Sequence, residues 1–327
     1  MAEGTNGEPR WPNFPAKPYP EELKLNKSPN WIHAMSLINL WRNIYRHPLS
    51  GRAKWHAAKR LISWQISSRF SPGKILVDWI GDSKFICKNG EAGLTGNIYN
   101  GLGDFEDMAF LAHFLRPEDC FFDIGANSGA YTLLASKVLG ARTCSFEPVP
   151  STFDRLRMNC IINQLGTLVR LENCALGANE GEVDFTVEKD CMNHALTHST
   201  SSSVKVKVRK ADDFVQEAPS LLKIDVEGFE YSVLQGAAKV LQTRRLEAII
   251  IELNGSGARF NILDSEVAAI LKSHGFSPAK YDPWTRKLEK PPEALSDRGN
   301  RLFVRAFESA ADRCRNAAPI EVLGLKI

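Results

Sequence analysis

The sequence has no stretch approaching the ~18 uninterrupted apolar residues of a membrane span. None of its seven cysteines (87, 120, 144, 160, 174, 191 and 314) forms a C-x-x-C pair. Such an odd, irregular set argues against a zinc site or disulfide frame and predicts reduced thiols in a cytoplasmic protein. The opening "MAEGTNGEPRWPNFPAKPYP" has no apolar core of the secretory kind, so no signal peptide is expected. A net charge of +3 is too small to argue for nucleic acid. The G-x-G-x-x-G of dinucleotide binders is absent as well, which disfavours nicotinamide chemistry.

What is present is unevenly spread. Residues 1–70 hold 11 Lys/Arg against 4 Asp/Glu, a balance of +7 that leaves −4 for the remainder. Residues 1–30 are rich in Pro, Asn and Gly and read as an irregular arm. Residues 31–72 read as a basic helical extension, with apolar residues at helical spacing from Trp31 to Tyr45 and again from Ala57 to Trp64. His47-Pro48 separates the two helical stretches. The basic faces suit packing on the main domain, peripheral contact with an anionic membrane or contact with a polyanionic substrate. The main domain is expected over 73–310, followed by a tail over 311–327.

Within 73–310, "KILVDW" and "SKFICKNG" read as short strands, and "EAGLTGNIYNGLGDF" as a glycine-rich loop. Apolar strands then alternate with helical segments: "CFFDI", "TCSFE", "LVRLENCAL", "SLLKID" and "EAIIIEL" are each followed by a connection, and "NRLFVRAF" reads as a closing strand. Repeated βα units with uninterrupted apolar strands predict an α/β, Rossmann-like fold, a mostly parallel sheet covered on both faces.

Ligands of such sheets bind beyond the carboxyl ends of the strands. The first strand ends in "FFDIGANSGAYT", where Asp123 precedes a turn bracketed by Gly125 and Gly129. Asn127 occupies the place where a glycine would admit a pyrophosphate, and Asp123 would repel one. An acid there suits a cationic ligand. Glu147 ends the second strand 24 residues later, where an acid binds the two hydroxyls of a ribose. A ribose with a cationic, phosphate-free tail describes S-adenosylmethionine.

These blocks, with "FEPVPSTFDRL", "NCALG", "LLKIDVEGFEYSVLQGA" and "IIIELNGSG", resemble the FkbM-type S-adenosylmethionine-dependent methyltransferases. "TGNIYNGLGDFEDMAF" and "GNRLFVR" are similar to a subset of that family, and the likeness spans about residues 75–307. It implies a class I methyltransferase fold of seven strands with the last antiparallel, and O-methylation of a sugar, glycan or natural-product hydroxyl. It places Asp123, Gly125, Ala126, Asn127 and Gly129 around the methionine end of the cofactor and Glu147 on the ribose. Asn173 and Ala175 would lie near the adenine.

On the acceptor side, a hydroxyl is a poor nucleophile and gains from a positioned base. Asp225 emerges from "LLKID" beside the expected cofactor, and Glu227 follows in the turn. Glu230 falls in a first helical turn, where an acid favours the helix dipole. His194, with Asn193 before it in "DCMNHAL", is the other candidate base. Glu106, Glu252 and Asn254 are candidate acceptor contacts. No metal is expected, because D-x-E-x-x-E over a strand, turn and helix scatters its side chains and no second acidic cluster is evident. Amine, protein or RNA acceptors, or a non-catalytic module, are the alternatives.

Overall fold

The structure, a computed structural model, describes residues 41–70, 73–87, 92–186, 203–291 and 299–327. The expected arm over 1–30 and the start of the first helical stretch lie outside them. Residues 41–46 are helical and are followed by α1, Lys54–Phe70. This helix buries Ala57, Leu61, Trp64 and Ser68 along one face, the spacing that a 3.6-residue turn brings into line.

A hairpin of β1 (Ile75–Asp78) and β2 (Lys84–Cys87) leads to α2, Ala92–Asn100. The expected glycine-rich loop is therefore largely helix. Leu94 and Ile98, four residues apart, are both buried, and that burial outweighs the glycines' poor helix propensity. α3, Phe105–Phe114, starts with Glu106 and Asp107 in its first turn and stops before Arg116-Pro117.

The main sheet is built from β3 (Cys120–Ile124), β4 (Arg142–Phe146), β5 (Val169–Glu172), β9 (Leu221–Ile224), β10 (Ala248–Leu253), β11 (Ser277–Asp282), β12 (Lys287–Glu289) and β13 (Gly299–Val304). Their order is β12-β11-β13-β10-β9-β3-β4-β5. Strands β5, β4, β3, β9 and β10 run parallel, and β13 is antiparallel to both of its neighbours, β10 and β11. This is the expected Rossmann-like sheet with its seventh strand reversed. The eighth strand, β12, pairs with β11 as a hairpin at the edge.

Alternate residues of the central strands feed two cores. Phe121, Leu221 and Ile250 face one, while Phe122, Leu222, Ile249 and Ile251 face the other. That period-two division, with both faces apolar, is what a sheet buried on both sides requires. Each fully buried Phe or Leu contributes ~1.5–3 kcal/mol of transfer free energy.

Three connections depart from the sequence reading. "LVRLENCAL" is two strands, β5 and β6 (Ala175–Leu176), in different sheets. Asn173 turns the chain between them, its side-chain amide donating to the carbonyls of Glu147 and Pro148 at 2.8 and 3.0 Å. β6 joins the expected hairpin of β7 (Gly181–Thr186) and β8 (Ser203–Arg209) in a small separate sheet. "EYSVLQGAAKVLQ" divides into α4 (Glu230–Gln235) and α5 (Ala238–Gln242). At Gly236 a Cβ would lie 2.0 Å from the carbonyl oxygen of Gly177, so the backbones meet where the helix breaks.

β13 is not the end of the folded chain. A helix over Phe307–Arg315 crosses into the expected tail, and a small hairpin follows, Glu321–Val322 with Leu325–Lys326. Ala310, Cys314, Val322 and Leu323 are buried in the first core. Asp119, buried before β3, ion-pairs with Arg313 and with Arg245, the latter at 3.4 Å. The six cysteines among the described residues are buried thiols.

Candidate functional site

Chain order reverses between β3 and β9, which are neighbours in the sheet although residues 125–220 separate them. A cleft of about 400 Å³ opens beyond the carboxyl ends of these two strands, where a switch in strand order leaves room for a ligand. β3 and β4 supply one bank, β9 and β10 the other.

On the first bank, Asp123 is almost fully buried. Its Oδ2 accepts from the Thr132 hydroxyl at 2.6 Å, while Oδ1 has no hydrogen-bond partner. Burial raises the carboxyl's proton affinity, and Lys223, its register neighbour on β9, opposes the rise. The chain turns next at Gly125, with φ +80°. A Cβ there would stand 1.9 Å from the carbonyl oxygen of Asp225, so only glycine fits. The amides of Gly125 and Ala126 both donate to the Phe146 carbonyl at 3.0 Å.

Glu147 fastens the loops after β3 and β4 together. Its two carboxylate oxygens accept from the amides of Asn127 and Val149 at 3.0 and 2.9 Å. Burial pushes this carboxyl up to about 7, against the pull of those two amides. Gly129 stands immediately before the short helix Ala130–Leu133 and faces Leu156 rather than the cleft. Asn173 acts through the Glu147 loop, as described above. Ala175 walls a narrow crevice beside Gly125, Phe146 and Phe185.

The second bank is acidic. Asp225 Oδ2 pairs with Lys223 Nζ at 2.8 Å. Oxygens of Asp225, Glu227 and Glu252 all lie within 4.8 Å of one another. Glu227 has φ +53°, an uncommon conformation for a residue with a side chain. Its turn is fixed from both sides: Arg259 donates to the Glu227 carbonyl at 3.0 Å, and the Glu230 carboxylate accepts from the amides of Gly228 and Val226 at 3.0 and 3.3 Å. Glu230, in the first turn of the helix Glu230–Gln235 as expected, is also a buried anchor of the preceding turn. Burial, then Asp225, raises the proton affinity of Glu227. Glu252 is held well above the usual carboxylate range by burial and by Asp225, Glu227 and Glu230 around it, and its Oε2 is buried with no partner.

The expected scattering of D-x-E-x-x-E holds for Glu230, which turns inward. It fails for the site as a whole, because β10 brings Glu252 beside Asp225 and Glu227. Three carboxylates at that spacing are able to orient polyols, take up a proton or ligate a hard cation through oxygen.

Three further residues line the cleft that sequence reasoning missed. Lys223 is buried between Asp225 and the Tyr131 ring, whose centroid is 4.7 Å from its ammonium. The Tyr131 hydroxyl donates to Asp104 at 3.1 Å. Behind them Asp107, hydrogen-bonded by the Asn300 side chain, is pushed up to about 7 by burial and by Asp104. A lysine inside the otherwise apolar "LLKI" is the signal that was available. Glu106 points elsewhere, lining a separate recess with Phe105 and Trp284. Asn254 is absent from the cleft wall, its side-chain oxygen accepting instead from the Ser256 amide at 2.8 Å. Asn193 and His194 lie outside the described residues.

Residues 123–278 match the family described as the methyltransferase FkbM domain. The chain is 30% identical over 156 residues to the hexuronic acid methyltransferase AglP of Haloferax volcanii, covering 46% of this chain and 63% of that protein. It is 29% identical over 222 residues to the 31-O-demethyl-FK506 methyltransferase FkbM of Streptomyces tacrolimicus, covering 55% of this chain and 82% of that one. A solved methyltransferase FkbM from Methylobacillus flagellatus superposes with a TM-score of 0.40 at 16% identity, over 64% of this chain and 52% of its own. The chain thus spans less than two thirds of AglP and about half of the solved protein. Among the described residues, no helix is long and apolar enough to cross a membrane.

Proposed function

From the match of residues 123–278 to the methyltransferase FkbM domain, we propose that the protein methylates a hydroxyl of a sugar, glycan or natural product, with S-adenosylmethionine as donor. When bound, that cofactor supplies a sulfonium methyl group open to attack by oxygen. The residues present fit it. Asp123 offers a buried carboxylate oxygen with no other partner, which suits the cofactor's ammonium group. Glu147 keeps a lone pair on each oxygen for a ribose hydroxyl after accepting one amide apiece. Beside Glu147, Pro148, Val149 and Phe185 give the cleft an apolar wall against which the adenine ring would pack.

The observation that carries the reading is the convergence of Asp225, Glu227 and Glu252 on the opposite bank of the same cleft. A polyol presents adjacent hydroxyls, and three carboxylates accept several hydrogen bonds from it at once. Holding the acceptor oxygen in line with the methyl accounts for much of such a reaction. A carboxylate of this group would take up the hydroxyl proton, and the bound cofactor would supply the methyl group to the oxygen. Glu252 is suited to receive it, because its repelling neighbours and its burial bring its proton affinity toward neutral pH. Lys223 holds the Asp225 carboxylate in place through their 2.8 Å ion pair.

Incubation with methyl-labelled cofactor and separate pools of uronic-acid glycans, neutral glycans and hydroxylated macrolides tests the proposal. Label in an alkali-stable ether on one of these pools, lost in Glu252→Gln, is expected. Saturable cofactor binding with label only on amine, protein or RNA acceptors would reassign the substrate. No cofactor binding at all would remove the activity.

A further inference from the structure

The outer face of α1 takes no part in the cleft, and its chemistry is unlike that of the rest of the surface. Ala57, Leu61, Trp64 and Ser68 turn inward. On the other side Trp55, Ile62, Ile66 and Phe70 are 81%, 55%, 54% and 84% exposed. At ~100° per residue these four fall within one stripe along the helix. Tyr45 and Trp41, in the preceding helical residues, are also exposed, and Tyr45 accepts from Lys54 at the start of α1 at 3.0 Å. Large exposed apolar side chains are concentrated in this segment. Outside residues 41–76, only Ile161 and Leu263 join them among the described residues. Scattered single apolar residues are ordinary on a surface, but a contiguous stripe marks a contact.

Charge decides the partner. Residues 41–70 contain seven Lys/Arg and no Asp or Glu. Lys59 and Arg69 are exposed and, by the same helical angle, Lys59 falls within the stripe and Arg69 at its edge, while Arg42 and Arg46 are exposed on the preceding helical residues. Tryptophan and phenylalanine projecting between basic residues, without acids, match a layer with an apolar interior and anionic headgroups. A nucleic acid would be met by the charges but not by Ile62, Ile66 and Phe70.

We propose that α1 docks the protein on the surface of an anionic lipid bilayer, with Trp55, Ile62, Ile66 and Phe70 inserted at headgroup depth and Lys59 and Arg69 on lipid phosphates. The cleft keeps its own walls, so cofactor binding and lipid binding are separable functions.

Co-sedimentation of the full chain with vesicles of phosphatidylcholine plus phosphatidylserine, against pure phosphatidylcholine, tests this directly. Binding to the anionic vesicles alone, weakening with salt, is expected. Lys59→Glu with Arg69→Glu should lower the partition coefficient by about 30-fold or more, and Ile62→Ser with Ile66→Ser should abolish pelleting. Both double variants should bind S-adenosylmethionine like the parent protein, which separates lost docking from lost folding. Absence of anionic-vesicle binding by the parent chain overturns the proposal. So does a parent dimer that Ile62→Ser with Ile66→Ser converts to monomer, or equal loss of RNA and vesicle binding in the charge variant with pelleting unaffected by the serine variant.

Discussion

The two banks of the cleft carry acids of opposite temper. On the β3–β4 side, Thr132 holds one oxygen of Asp123, and two backbone amides hold Glu147. On the β9–β10 side, Asp225, Glu227 and Glu252 crowd within 4.8 Å with one buried ammonium between them and the first bank. The first arrangement is complete before any ligand arrives, apart from the one open oxygen of Asp123. The second carries repulsion that a ligand, a proton or a cation relieves. A cofactor common to many enzymes suits the settled bank, and an acceptor suits the unsettled one, where binding discharges strain at the reacting groups.

The sharpest way to break this comparison is Lys223→Met. It leaves Asp123 and Asp225 without their shared counter-ion, and loss of one partner of a buried pair costs about 3–5 kcal/mol. Urea denaturation should show that loss; an unchanged midpoint would mean the acids do not depend on it. Next comes Asp123→Asn, which removes a charged acceptor worth ~1.5–3 kcal/mol. Calorimetry should find S-adenosylmethionine bound about 10- to 100-fold more weakly, with folding retained.

A pH series sharpens the contrast further. Glu147 and Glu230 rise from an ordinary value of 4.5 to about 7 through burial, and Glu252 rises as well. A carboxyl whose folded pKa exceeds its unfolded value favours folding while it is protonated. That contribution is complete below about 4.5 and is lost as pH climbs through about 7. The ligand-free melting temperature should therefore fall across this window, and Glu252→Gln should flatten part of the slope. A rise with pH would contradict the electrostatic picture of both banks. The smallest effect belongs to Asn173→Ala, which loses two hydrogen bonds to the Glu147 loop at a net ~1 kcal/mol and should weaken cofactor more than acceptor.

The first bank was legible in the sequence because it is local. Asp123, Gly125 and Asn127 lie in one turn, and a single strand-to-strand step reaches Glu147. The parallel sheet was legible for the same reason, since each strand announces itself as an apolar run. The second bank depends on which strands become neighbours. Glu252 meets Asp225 only because β10 lies beside β9, and Asp123 meets Lys223 only because β9 lies beside β3. Where packing overrode propensity, as in α2 with its glycines, the deciding contacts were tertiary. The break at Gly236 likewise reflects a backbone contact with Gly177 that no local pattern records.

The carbonyl of Asp225 rests against the α-carbon of Gly125 with no room for a methyl group between them. The turn after β3 and the turn after β9, which under the proposed function would hold the cofactor and present the acceptor acids, are therefore a single mechanical joint. A ligand that shifted either one would press on the other, so binding on the two banks would be coupled. Thermodynamics makes that dependence symmetrical: whatever factor the cofactor adds to acceptor affinity, the acceptor returns to the cofactor.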